Sequence, residues 1–127
     1  MTQPANPNSY VSVNSIRVAD DLEIREVDVP EWGGKVRIRQ MTADKMTEFY
    51  EDNFDLTAGG ATLTDRRFMT KLVAQTLVDE NDAPFFGDDD GPAILSDKSF
   101  AVISRLANVA IEINRLDEET VAVAKKD

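Results

Sequence analysis

The residues with the most evident capacity for chemistry are Asp79, Glu80, Asp82, Asp88, Asp89 and Asp90, which crowd around Pro84-Phe85-Phe86. Oxygen ligands at that density are what a hard cation such as calcium uses. A helix–loop–helix calcium site needs ligands at alternate positions, a glycine at the sixth and a glutamate at the twelfth. Counting from Asp79 puts Pro84 and Asp90 at those positions; counting from Asp88 puts Ala93 and Ser99 there. Neither register fits, and the stretch reads as a solvated loop.

Other chemistries fare no better. The chain has no cysteine, which excludes disulfides, zinc–thiolate sites and thiol catalysis. It has no histidine, so the commonest general base and transition-metal ligand is missing. No serine stands three residues before a lysine, as a serine–lysine nucleophile would require. Ala58-Gly59-Gly60-Ala61 is a flexible break without the lysine of a phosphate-binding loop. Paired carboxylates are numerous because the chain is acidic, and no spacing singles out an acid and a base. The sequence predicts neither a catalytic, a cofactor-binding nor a metal site.

The elements that position these residues are more legible. In Val27-Asp-Val-Pro-Glu-Trp-Gly-Gly-Lys-Val-Arg-Ile-Arg-Gln-Met-Thr42 a tryptophan and two glycines separate runs that alternate apolar and charged residues. Alternation with period two predicts a hairpin over about 22–41. Val27, Val29, Val36 and Ile38 would form its inner face, and Glu26 and Asp28 would lie near Arg37 and Arg39. Such cross-strand charge pairs contribute about 0.2–1 kcal/mol each. Gly33 and Gly34 would supply the positive φ of the connection.

Residues 1–14 read as a loose tail, and Ser15–Asp21 as a short helical turn capped by Ser15. Thr42 reads as the cap of a helix over 43–54, with Met46, Phe49, Tyr50 and Phe54 on one side. Thr64 would cap a helix over 64–78, with Phe68, Met69, Leu72, Val73, Thr76 and Leu77 as its apolar stripe. The acidic connection is expected to hold a short extended pair around Pro84, Phe85 and Phe86. A long helix follows, starting at Ser96 or Asp97 and running to about Leu116. Its residues Phe100, Ile103, Leu106, Val109, Ala110, Ile113 and Leu116, widened by Val102 and Ile111, imply a central place in the core or a partner. The final segment, 117–126, has acids first and lysines last, as a terminal helix favours. The fold class expected is α+β, mostly α: an N-terminal β-hairpin on a small bundle of about four helices, forming one domain over 15–127.

A net charge of −10 at 127 residues disfavours nucleic-acid phosphates and anionic membranes as partners, and favours basic ones. No apolar run approaches the roughly 20 residues of a membrane span. The first ten residues lack the basic start and apolar segment of a signal peptide.

The run Ala19–Glu51, with its Ala-Asp-Asp-Leu opening, Val29-Pro-Glu-Trp-Gly-Gly34, the Val36-Arg-Ile-Arg39 strand and Thr42 before the first helix, resembles the tail assembly chaperones of long, non-contractile-tailed bacteriophages and prophages. Leu72–Phe86 and Leu95–Asn114 resemble later parts of the same family, so the likeness covers about Ile16 to Val123. One departure is Asp82-Ala83-Pro84, where the family often has Asp-Gly, which bears on the local turn.

The resemblance implies a non-enzymatic role in virion assembly, without a cofactor. Such chaperones bind the tape measure protein, keep it soluble, help recruit tail tube subunits, and leave before the virion matures. It also implies the host cell cytoplasm as the place of action and, in many members, a longer product of ribosomal frameshifting. Ala124-Lys125-Lys126 is compatible with a slippery heptamer in the gene.

The contact residues expected from pattern are Trp32 at the hairpin tip and Val102, Leu106, Val109 and Ile113 of the long helix. Trp32 either anchors a partner or folds back over the helices. Self-association is open. Two other classes of function also remain open: a structural head–tail connector or tail terminator protein, and an acidic DNA mimic that inhibits a host enzyme.

Overall fold

The computed structural model describes residues 9–55, 62–63 and 67–116, with Thr62 and Leu63 through their backbone. In chain order the elements are α1 (Val13–Val18), β1 (Ile24–Val29), a 3-10 turn (Pro30–Trp32), β2 (Gly34–Arg39), α2 (Ala43–Asn53), β3 (Phe54–Asp55), β4 (Thr62–Leu63), α3 (Phe68–Thr76), β5 (Leu77–Val78), α4 (Gly91–Ser96) and α5 (Phe100–Asn114). The architecture is α+β and mostly helical, with the hairpin near the N-terminus. The expected terminal helix over 117–126, the cap at Thr64, the Ala58–Ala61 break and residues 1–8 of the expected tail lie outside the described residues.

The hairpin forms in the register that its alternation demands. Val27 faces Val36, Glu26 faces Arg37 and Asp28 faces Lys35. Val29 and Ile38 are fully buried, and Val27 and Val36 pack beside them, so the apolar face is turned inward. On the outer face Glu26 takes both cations: Lys35 at 3.2 Å and Arg37 at 3.8 Å. Arg39 stands opposite Ile24 and donates instead to the Asp82 carbonyl at 3.0 Å, so the expected placing of Arg39 near the strand's own acids is corrected. Of the two glycines in the hairpin connection, only Gly33 takes a positive φ, at 83°. Gly34 begins β2 opposite Val29, because the Pro30–Trp32 turn already reverses most of the chain.

A third strand corrects the expectation that α3 runs through Val78. The helix ends at Thr76, whose Oγ1 donates to the carbonyls of Leu72 and Val73. Leu77 and Val78 then pair antiparallel with Ile38 and Arg37, giving the sheet order β1-β2-β5. The free edge of β2 satisfies their backbone and the core buries both side chains, which together outweigh the helical pattern. The acidic connection does hold an extended pair: Val78 bridges Pro84, and Phe85 N–H donates to the Leu77 carbonyl at 3.1 Å. Asp79 Oδ1 accepts from the backbones of Asn81 and Ala83, and Asp82 adopts a left-handed φ of 67°. The turn's positive φ therefore sits on Asp82 itself, a residue type that tolerates it.

The starts of α1 and α5 also move, while that of α2 stays. Ser12, not Ser15, caps α1; its side chain accepts from Ser15 N–H, and Ser15 Oγ accepts from Ser12 N–H in return. Thr42 caps α2 as expected, accepting from Lys45 N–H at 3.2 Å. Phe54 falls just beyond α2 yet keeps its place in an aromatic cluster, its ring 6.3 Å from Phe49 and 5.5 Å from Tyr50. The helix expected from Ser96 or Asp97 starts later, at Phe100, and a separate short helix, α4, precedes it. Asp90 caps α4, accepting from Ala93 N–H, and the chain resets at Asp97–Ser99 before α5.

α5 crosses the inner face of the sheet and packs on α3. Val102, Ile103, Leu106, Ala107, Ala110 and Ile113 are buried at helical spacing against Val29, Ile38, Leu72, Val73 and Leu77 of the same core. Burial on this scale stabilises by about 1.5–3 kcal/mol for each large side chain. Its C-terminal end is fastened to the sheet by side-chain amides. Asn114 Oδ1 accepts from Met41 N–H at 2.7 Å while its Nδ2 donates to the Ala110 carbonyl at 2.9 Å. Gln40 Nε2 donates to the Ile113 carbonyl, and its Oε1 accepts from Glu23 N–H, both at 2.7 Å.

Two substitutions test this packing. A Cβ at Gly91 would lie 2.7 Å from Phe86 Cδ2 and 2.9 Å from Ala74 Cβ. Gly91→Ala should therefore lower stability by about 1–3 kcal/mol through overpacking, seen as a lower urea midpoint at unchanged slope. Gly91 stands at the first helical position, so little helix propensity is gained in exchange. Asn114→Leu leaves the Met41 N–H buried without a partner. It should cost about 1–3 kcal/mol and speed hydrogen exchange at the Met41 amide; unchanged exchange there contradicts the clasp.

Candidate interaction surface

The hairpin tip is held rather than loose. Glu31 in the 3-10 turn pairs with Arg105 of α5 at 2.7 Å, and Gly33 N–H closes the turn on the Pro30 carbonyl. Arg105 lowers the pKa of the Glu31 carboxyl by donating to it, with a smaller contribution from the turn backbone. At the other end of the hairpin Arg25 pairs with Glu23 at 2.9 Å and with Glu112 of α5 at 3.0 Å, which raises its already high pKa. These exposed pairs orient the sheet on α5 more than they stabilise it.

Between those anchors the sequence-predicted contact residues divide. Trp32 is 37% exposed on the fixed tip. Val109 is half-buried at the edge of the core. Val102, Leu106 and Ile113 are buried, turned toward the sheet and α3 rather than toward a partner. The width of the α5 stripe is explained by its position: it meets β1, β2 and α3 at once, so more of its circumference than one face is used inside.

The structure exposes a different apolar set. Phe100, at the first position of α5, is 75% exposed. It borders a cavity of about 240 Å³ between the starts of α3 and α5, with Met69, Leu95 and Ile103 in its wall and Arg67 and Lys98 at its rim. Ile94 and Phe85 add exposed apolar surface on α4 and the acidic connection. No residue of α1 is buried, and Tyr10, Val11, Val13, Ile16 and Val18 all face solvent. The sequence placed Phe100 on the α5 stripe without singling it out as a contact residue, and gave the N-terminal segment a loose tail and a short helical turn without an exposed apolar face. The available signal was the Ser12–Ser15 capping pair among five large apolar side chains in Tyr10–Val18. Among the described residues no three carboxylates are grouped to hold a metal ion, and no helix is long and apolar enough to cross a membrane.

A family model described as "Phage tail assembly chaperone" matches residues 16–126, most of the chain and all of the hairpin, α2 and α5. The chain belongs to the phage tail assembly chaperones. No curated protein and no solved structure matches it. Within this tail assembly chaperone the Val29–Gly34 segment is the hairpin reversal itself, tied through Glu31 to α5.

The Glu31–Arg105 tie has a pH dependence with a definite sign. A carboxyl whose folded pKa lies below its unfolded one contributes above the unfolded value and loses that contribution as pH falls through the folded one. Carbon-detected NMR titration should therefore place the Glu31 midpoint below the ordinary glutamate range, and Arg105→Met should return it upward. An unchanged midpoint in the variant contradicts the pairing.

Proposed function

We propose that this tail assembly chaperone works without catalysis, binding the tape measure protein in the host cytoplasm and keeping it soluble while tail tube subunits are recruited. The family match over residues 16–126 carries the reading. A long helical partner exposes apolar stripes before it is encased, and a chaperone for it needs accessible apolar groups on a surface that itself resists aggregation. Trp32, Phe100, Ile94 and the α1 residues are such groups, on a chain of net charge −10. Contact through separate exposed side chains, rather than one large dry interface, suits a complex that must come apart before the particle matures. Val109 at the core edge is a further contact candidate. Val102, Leu106 and Ile113 contribute by holding α5 in place.

Co-expression with the tape measure protein encoded alongside this chain tests the proposal. The partner should move from the pellet to the soluble fraction, and the chaperone should be absent from purified virions. Trp32→Ala and Phe100→Ala should each leave the circular dichroism spectrum intact and lower the soluble partner fraction, by about two- to tenfold for side chains contributing 0.5–1.5 kcal/mol. A partner equally insoluble with and without the chain overturns the reading.

A further inference from the structure

Phe100 opens α5 and stays exposed, while Val102, Ile103 and Leu106 behind it are buried. The cavity it borders, about 240 Å³, falls short of the roughly 300–1,000 Å³ that small-molecule sites enclose. It has room for one or two side chains offered by a protein surface, against a wall of Met69, Leu95 and Ile103. Its charge is the reverse of the chain's. Acidic residues outnumber basic ones 24 to 14 overall, yet no carboxylate lines this cavity, and its charged residues are Arg67 and Lys98. Arg67 is engaged in an interaction of its own, and Lys98 lies exposed between α4 and α5. The backbone adds to the same sign. Side chains of Ser12, Thr42 and Asp90 cap α1, α2 and α4, but neither α3 nor α5 has a side-chain cap or an acidic residue in its first turn. Both of these helices begin at the cavity, so the positive ends of two dipoles reinforce its basic rim.

We propose that this groove docks a helical segment of the chaperoned partner in which an apolar side chain is flanked by glutamate or aspartate. The apolar side chain enters between Met69, Leu95 and Ile103 and covers Phe100, and the flanking carboxylate meets Lys98 at the start of α5. A segment flanked by lysine or arginine is disfavoured here by the same charges. Elsewhere on a surface of net charge −10 the preference runs the other way. The inference rests on the reading of the protein as a chaperone of a helical partner, and adds which segments of that partner are taken and where.

Three synthetic helices test it, each about 15 residues long, with leucines at helical spacing and glutamate, glutamine or lysine beside them. The full chain is labelled with ¹⁵N and, at the methionine methyl groups, with ¹³C. The glutamate peptide should shift the Phe100 and Ala101 amides and the Met69 methyl saturably. At these signals it should bind at least about fivefold more tightly than its glutamine twin, with the lysine twin weakest. Lys98→Glu, at an exposed position, should cut the preference for glutamate over glutamine at least about threefold, and Lys98→Arg should retain it. Shifts absent from these three signals, equal binding of the three peptides, or a preference unchanged by Lys98→Glu overturns the assignment. Co-expression separates the two readings. A tape measure protein kept equally soluble by the unaltered chain and by Lys98→Glu sinks the groove assignment and leaves the chaperone reading standing. A partner soluble with neither sinks the chaperone reading, and the peptide titrations still decide what the groove binds.

Discussion

The docking of α5 across the inner face of the hairpin is the contact on which the rest of the molecule is built. Apolar burial supplies most of its free energy, yet burial is indifferent to sliding and rotation. Position is set by directional groups. Asn114 gives one amide atom to its own helix and the other to Met41 N–H, and Gln40 couples Ile113 to Glu23 in the same way. The two residues join the end of β2 to the end of α5 at the point where the chain leaves the sheet for α2. Glu31–Arg105 and Arg25–Glu112 then fix the orientation at either end of the hairpin.

From that frame the outer features follow. The free edge of β2 is taken by Leu77 and Val78, which brings the acidic connection against the sheet. Arg37 and Arg39 then both engage Asp82, one through its side chain and one through its backbone. The connection returns through Phe86, against which Gly91 starts α4 with no room for a side chain. The acidic stretch, which the sequence reads as a solvated loop, is thus a structural return: Asp79 organises its turn, Asp82 holds strand cations and Asp90 caps a helix.

The surface of this phage tail assembly chaperone therefore separates two kinds of apolar residue that look alike in one dimension. Val102, Leu106 and Ile113 hold the helix in the core. Trp32, Phe100 and the side chains of α1 remain outside it. For a protein proposed to bind and release an aggregation-prone partner, this division matters. Contacts can be made and broken at the exposed set without drawing on the packing that keeps the chaperone folded.

The sequence by itself determined the hairpin, its register and its inner face, because alternation with period two leaves few alternatives for Val27, Val29, Val36 and Ile38. It also determined the Thr42 cap, the apolar character of α5 and the family, all of which rest on local pattern. Tertiary structure decided what local pattern leaves open. Leu77 and Val78 became a strand because a sheet edge was free beside them. The α5 stripe turned inward because three elements converge on it. Gly91 lost the room for a side chain because Phe86 and Ala74 lie against it. Each of these depends on a neighbour distant in sequence, and no periodicity encodes which neighbour arrives.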